Sequence, residues 1–124
     1  MTKEEIIQQI HETKTCQIKA GETHRFNDIW LVVAEGRIFC RQYSFSERSW
    51  RTEFLKNPDG YIKCGELICK VKAIIPEDLE TINPKVNEAY IEKYVERLNY
   101  YPQIAREATG EKFQKSTMEL ILEV

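Results

Sequence analysis

The chain has little of what would mark a specialised class. Glycine and proline together supply only nine of its 124 residues, too few for a linker, a collagenous repeat or a low-complexity chain. No apolar run reaches the roughly 18 residues that a membrane span needs, so no partnership with a membrane is expected. The opening stretch, MTKEEIIQQIHETK, lacks the apolar segment of a signal peptide. Positive charge is not in excess: 18 Lys and Arg stand against 20 Asp and Glu, a net charge of −2. A protein built for nucleic acid usually carries a basic footprint, so none is expected as a partner. The familiar catalytic signatures are missing as well: GxSxG, a phosphate-binding P-loop, HExxH and GxGxxG. Four cysteines, at positions 16, 40, 64 and 69, form no CxxC pair, and His11 and His24 complete no zinc pattern with them. They read as free buried thiols acting as small hydrophobes, with Cys16, Cys40 and Cys69 sharing strand faces with Ile18, Ile38 and Val71. No metal site is expected.

What is present is ordinary globular material, 42% hydrophobic and 31% charged. A domain of this size buries about two thirds of its unfolded surface and needs neither disulfide nor metal to fold. Residues 1–124 therefore read as a single soluble, cytoplasmic domain.

The order of elements follows from periodicity. Thr2 with Glu5 forms a capping box ahead of an apolar stripe of Ile6, Ile7 and Ile10. Thr15–Ala20 alternates as a half-buried strand. Asp28–Ala34 is apolar on both faces and predicts a covered central strand, turned by Glu35-Gly36 into Arg37–Tyr43. Ser44 or Ser46 caps a short helix over Glu47–Lys56, stopped by Asn57-Pro58-Asp59-Gly60. Two strands follow, Tyr61–Cys64 and Leu67–Ile75. Asn83-Pro84 then starts the longest helix, with Asn as N-cap and Pro in the first turn. A further helix begins at Pro102 and stops at Thr109-Gly110. In the closing strand Met118, Leu120, Leu122 and Val124 point inward, Glu119 and Glu123 outward. Six short strands, with inserts after the third and fifth, favour a closed or partly closed antiparallel barrel with helices outside it, an α+β fold.

One strand carries the strongest chemical signal. Along Arg37–Tyr43 one face holds Ile38, Cys40 and Gln42, the other Arg37, Phe39, Arg41 and Tyr43. Arginines alternating with aromatics suit a ligand with both a phosphate and a flat ring. The competing reading is an outer face whose aromatics pack under a helix. Residues 37–56 also hold five cations against two acids; Ser44, Ser46 and the start of the next helix add anion-binding donors. Trp50, one turn into that helix, either covers a cofactor or seals the barrel. His24, beside Arg25 in a polar loop, is a candidate base or phosphate ligand. Tyr100-Tyr101 either lines a cavity or packs in the core. Residues 77–97, with six acids against three bases, read as an exposed helix face.

Three runs carry a family resemblance: IWLVVAEGRIFCRQYS, then SWRTEFLKNPDG, then YIKCGELICKVKAII. Over residues 21–124 they are similar to the split-barrel flavin- and deazaflavin-dependent nitroreductases. The resemblance is closer to an uncharacterised bacterial domain-of-unknown-function family related to those enzymes. Ser49-Trp50-Arg51 stands where that fold has a Trp-Tyr-x-Asn-Leu-like helix, and Asn57-Pro58 fits the following turn. The nitroreductases carry Gly-Arg-Lys-Ser-Gly before the central hairpin; this chain has Gly21-Glu22-Thr23-His24-Arg25, and Glu22 would repel a phosphate. The resemblance implies a six-stranded split β-barrel of the FMN-binding type and a homodimer. It also implies FMN or a deazaflavin as cofactor and reduction of a small electrophile. The expected small-molecule site is lined by Arg25, Arg41, Tyr43, Ser44, Ser46, Trp50 and Arg51; no catalytic residue is assigned. The alternative is a cofactor-free split barrel acting as a binding or interaction module.

Overall fold

The computed structural model describes residues 2–22, 25–42 and 50–123. It opens with the capped helix read from the sequence, α1 (Lys3–Glu12): the Thr2 hydroxyl accepts from the Glu5 N–H at 3.1 Å, and the Glu5 carboxylate accepts from the Thr2 N–H at 3.3 Å. Ile6 and Ile10 form its buried side. Then come β1 (Cys16–Ala20), β2 (Asn27–Ile29), β3 (Val32–Ala34), β4 (Arg37–Cys40) and α2 (Trp50–Lys56). After them follow β5 (Asp59–Cys64), β6 (Leu67–Ile74), α3 (Leu79–Tyr90), a π-helical continuation (Ile91–Arg97), α4 (Pro102–Glu107), α5 (Glu111–Gln114) and β7 (Met118–Leu122). No helix among the described residues is long and apolar enough to cross a membrane.

The seven strands among the described residues form one antiparallel sheet in the order β2-β1-β5-β6-β7-β4-β3. Its two outermost strands, β2 and β3, are separated in the chain by only Trp30 and Leu31. Three residues of chain span at most about 11 Å, whereas the edges of a flat seven-stranded sheet lie about 29 Å apart. The sheet must therefore curl until its edges meet. This corrects the strand count. Asp28–Ala34 is not one central strand but two: Ile29 pairs with Cys16 and Val32 pairs with Phe39, so the segment crosses from one end of the sheet to the other. Its apolar character on both faces reflects that crossing. The architecture is α+β, a curled seven-stranded half-barrel with helices.

Alternation sorts two cores. Inward side chains of β1, β5, β6 and β7, such as Ile18, Ile62, Val71 and Leu120, fill the curl together with Ile6 and Ile10 of α1 and Phe54 of α2. Gly60 permits this closure: a Cβ there would overlap the Lys19 carbonyl oxygen and the Phe54 ring. The second core lies on the opposite face of β3 and β4, where Val32 and Phe39 meet Val86, Tyr90, Tyr94 and Ala105 of the helices.

Four further expectations are corrected here. The long helix starts at Leu79 rather than at Asn83, leaving Pro84 inside it. Ile82, buried, extends the helix backwards because its side chain belongs to the second core, and its N–H bonds to Asp78 at 2.8 Å. Lys93 is not on an exposed face: it is 1% exposed. Glu119 points away from the barrel interior, as its alternation requires, yet it is buried because Arg37 covers it. Finally, the cysteines are not all free. Cys16 and Cys64 form a disulfide, while Cys40 and Cys69 are free and buried. Register places the pair opposite each other across β1 and β5, which residue spacing along the chain does not reveal.

Candidate functional site

The expected site divides into parts that the fold brings together and parts it does not. β4 ends at Cys40, and the next residue, Arg41, turns under the helices of the second core, 5% exposed. A guanidinium has five N–H donors, and each is engaged. Nε donates to Thr117 Oγ1 at 2.8 Å. Nη1 donates to Asn87 Oδ1 and to the Ala108 carbonyl, and Nη2 donates to the carbonyl and Oδ1 of Asn83. The group also lies over the Tyr90 ring, 5.5 Å from its centroid. Burial pulls its pKa below the usual arginine value. The arginine and aromatic face of this strand thus packs under helices, and Arg41 has no donor left for a phosphate.

Beside Arg41 the chain forms a corner with residues 115–117. The Gln42 N–H donates to Ser116 Oγ at 3.0 Å. From α2, Arg51 reaches the same segment, its Nε 3.3 Å from the Ser116 carbonyl and its Nη2 3.5 Å from that of Lys115. Trp50 is half-buried, its ring edge-on to Phe54 at 6.2 Å. Arg41 and Arg51 therefore converge around Ser116 and Thr117, while Trp50, the first residue of α2, packs against the barrel core. Arg25 is exposed in the β1–β2 connection. Tyr43, Ser44, Ser46 and His24 lie outside the described residues.

A second group escaped the sequence reading. Lys93, in the π-helical segment, donates to the carbonyls of Ile10 at 2.8 Å and Leu31 at 2.6 Å, and sits 5.1 Å from the centroid of the Tyr94 ring. Removal from water, reinforced by Arg97, pushes its pKa down to about 7. Around it Trp30 stacks on Tyr94 at 3.9 Å, and Tyr100 and Tyr101 lean on Trp30. Tyr100 is half-buried there, but Tyr101 is 59% exposed. The signal was available: Val86, Tyr90 and Lys93 recur at helical spacing along one face.

Arg37 behaves differently from Arg41. It clamps two acids, Asp78 through both terminal nitrogens and Glu119 through Nε and Nη2. That holds the Asp78 carboxyl below its ordinary pKa. A shallow cleft of about 40 Å³ beside it, lined in part by Lys3, Ile7, Arg37 and Glu119, is far too small for a flavin ring.

With this geometry described, relatives can be compared. Residues 5–120 match the family model described as "Uncharacterized protein conserved in bacteria (DUF2255)". The chain belongs to this family. No curated protein matches it. Among solved structures, this DUF2255 chain is similar to a Listeria innocua protein named "Putative Pyridoxamine 5'-phosphate oxidase". The TM-score is 0.63 at 9% identity, over 98% of this chain and 94% of that one. It is also similar to a conserved hypothetical protein from Mycobacterium tuberculosis, TM-score 0.57 at 13% identity, over 100% of this chain and 82% of that one. At such identities the likeness concerns the fold, and it supports the curled sheet as a half-barrel of the split-barrel kind.

Proposed function

We propose that this chain is a split-barrel, flavin-binding protein, a homodimer whose ligand sits at the corner formed by the end of β4, the start of α2 and Ser116–Thr117. The observation that carries the reading is the fold likeness along 98% of the chain to a protein named as an oxidase of a phosphorylated pyridoxamine. Arg51 at the Ser116 carbonyl, with half-buried Trp50 next to it at the start of α2, supports it. The residues fit a flat ring better than they fit its phosphate through Arg41, whose donors are engaged. Trp50 supplies a surface for the ring. Arg51, held by two long bonds to backbone carbonyls, is the cation for a phosphate, and Arg41 serves to fix Thr117 beneath it. A bound flavin or deazaflavin would supply the hydride chemistry, as in a nitroreductase-like reduction of a small electrophile.

Titration with FMN and riboflavin, followed by flavin fluorescence, tests this. Loss of a charge-assisted hydrogen bond costs about 1.5–3 kcal/mol, or roughly ten- to a hundredfold in affinity. Arg51→Ala should lose that much for FMN and nothing for riboflavin, while Trp50→Ala should weaken both. Engagement of Arg41 favours one other reading, a cofactor-free module. Failure of the parent chain to bind either flavin would select it.

A further inference from the structure

Gln17 pairs with Lys63 and Ile18 with Ile62, so the next step of the β1–β5 ladder sets Cys16 against Cys64. Their Cα atoms are 4.6 Å apart, the spacing of a non-hydrogen-bonded antiparallel pair, in which the side chains approach most closely. On its other side Cys16 pairs with Ile29 of β2. That strand is three residues long and runs directly into the Trp30–Leu31 link that closes the sheet. The same corner is tied to the helices, since Lys93 bonds the carbonyls of Ile10 and Leu31, and Gln9 donates to the Cys64 carbonyl at 2.8 Å. The pair thus sits at the end of the β1–β5 ladder, one strand in from the three-residue edge strand β2 that leads into the closing link.

We propose that Cys16 and Cys64 form a reversible redox latch between β1 and β5, beside the closing seam of the barrel. Bonded, they cross-link β1 to β5 and so fix the strand on which β2 pairs; reduced, β1 is held to β5 by their short ladder and packing alone. The chemistry is thiol–disulfide exchange with a low-molecular-weight disulfide. One cysteine, deprotonated, attacks the external disulfide and expels a thiolate. The second cysteine, deprotonated in turn, attacks the resulting mixed disulfide and expels the second thiolate. Two protein thiols become one S–S bond, and the external disulfide is reduced to two thiols, which carry the two protons. Both cysteines are 1% exposed, so exchange waits on local opening, for which β2 is the weakest element. The other thiols do not compete. Cys69 points inward from β6 opposite Ile62, and burial raises its pKa, so it remains a thiol and a poor nucleophile. Cys40 lies on β4, with β6 and β7 between it and β5. This latch is independent of the ligand reading above.

The full chain, equilibrated with excess oxidised glutathione or with dithiothreitol, is alkylated under denaturing conditions and weighed. Two alkylated cysteines, Cys40 and Cys69, are expected after oxidation, and four after reduction. The oxidised form should melt about 10 °C higher, as expected for closing a loop of this length. Amide exchange along β1 and β2 should slow roughly tenfold or more, and both changes should reverse on reduction. The Cys40→Ala/Cys69→Ala variant should keep the response, and the Cys16→Ala/Cys64→Ala variant should lose it. Four alkylated cysteines after oxidation would overturn the proposal. So would a glutathione adduct in place of the internal bond, or an internal bond that leaves melting and exchange unchanged.

Discussion

The two cores of this molecule are built on opposite rules. The barrel core is aliphatic and sulfur-rich, with Ile18, Ile62, Val71, Leu120 and all four cysteines among its inward residues, and its order follows from strand alternation. The helical core is aromatic and holds two buried cations: Arg41 under Tyr90 and Lys93 under Tyr94, neither bonded to a carboxylate among the described residues. A buried charge is tolerated only when its hydrogen-bonding capacity is met. Arg41 meets it with five bonds to neutral oxygens of Asn83, Asn87, Ala108 and Thr117, and Lys93 with two backbone carbonyls and the face of Tyr94. The barrel core is thus held by area, the helical core by satisfied donors. One tolerates loss of volume in proportion; the other fails when a partner is removed.

The largest expected effect tests that contrast. Arg41→Ala strands the acceptors on Asn83, Asn87, Thr117 and Ala108 in a largely buried site, and should cost about 3–5 kcal/mol in a urea unfolding curve. Leu120→Ala in the barrel core removes volume alone and should cost about 2–4 kcal/mol. A loss for Arg41→Ala below that for Leu120→Ala would collapse the distinction. Next comes Gly60→Ala, which puts a methyl group between the Lys19 carbonyl and the Phe54 ring. Overpacking of that kind costs about 1–3 kcal/mol, and a second change, Phe54→Leu, should recover part of it if the ring is the obstacle.

How far the sequence foretold each core follows the same division. Alternation along Cys16–Ala20, Leu67–Ile74 and Met118–Leu122 is a local signal, so the inward faces of the barrel were legible, as were the Thr2 cap and the Glu35-Gly36 turn. The Cys16–Cys64 bond was not, because it depends on register between strands far apart in the chain. The break at Trp30–Leu31 was hidden for a related reason, since a segment apolar on both faces looks alike whether it is covered or crosses between sheet ends. In the helical core, alternation placed Arg41 beside Phe39 correctly. What covers that face is decided by residues 83–117, and nothing local to β4 states it. Proximity in sequence groups Trp50 and Arg51 near the end of β4, and Arg51 reaches the Ser116 carbonyl. Lys93 was missed because its charge drew more weight than its spacing from Tyr90.

The smallest expected effect is also the most diagnostic, because it needs no disruption of packing. Lys93 has its pKa lowered to about 7, against about 10.4 in an unfolded chain. Between those values the unfolded state binds the extra proton and the folded state does not, so stability rises with pH through that window. The penalty of the buried charge is fully present below about pH 7 and fades above it. The slope approaches about 1.4 kcal/mol per pH unit where the two states differ by a whole proton. Other groups limit the usable range. His11, lowered by burial and by Arg97, raises stability with pH only below its ordinary value of 6.5. The thiols of Cys40 and Cys69, raised by burial, lower stability once unfolded thiols ionise near pH 8.5. Urea unfolding between pH 7 and pH 8.5 should therefore show a gain of about 1–2 kcal/mol in the parent chain. Lys93→Met should flatten the gain, whatever its own stability, since methionine carries no proton to exchange. An equal gain in both proteins would assign the pH dependence elsewhere and remove Lys93 from the account of the helical core.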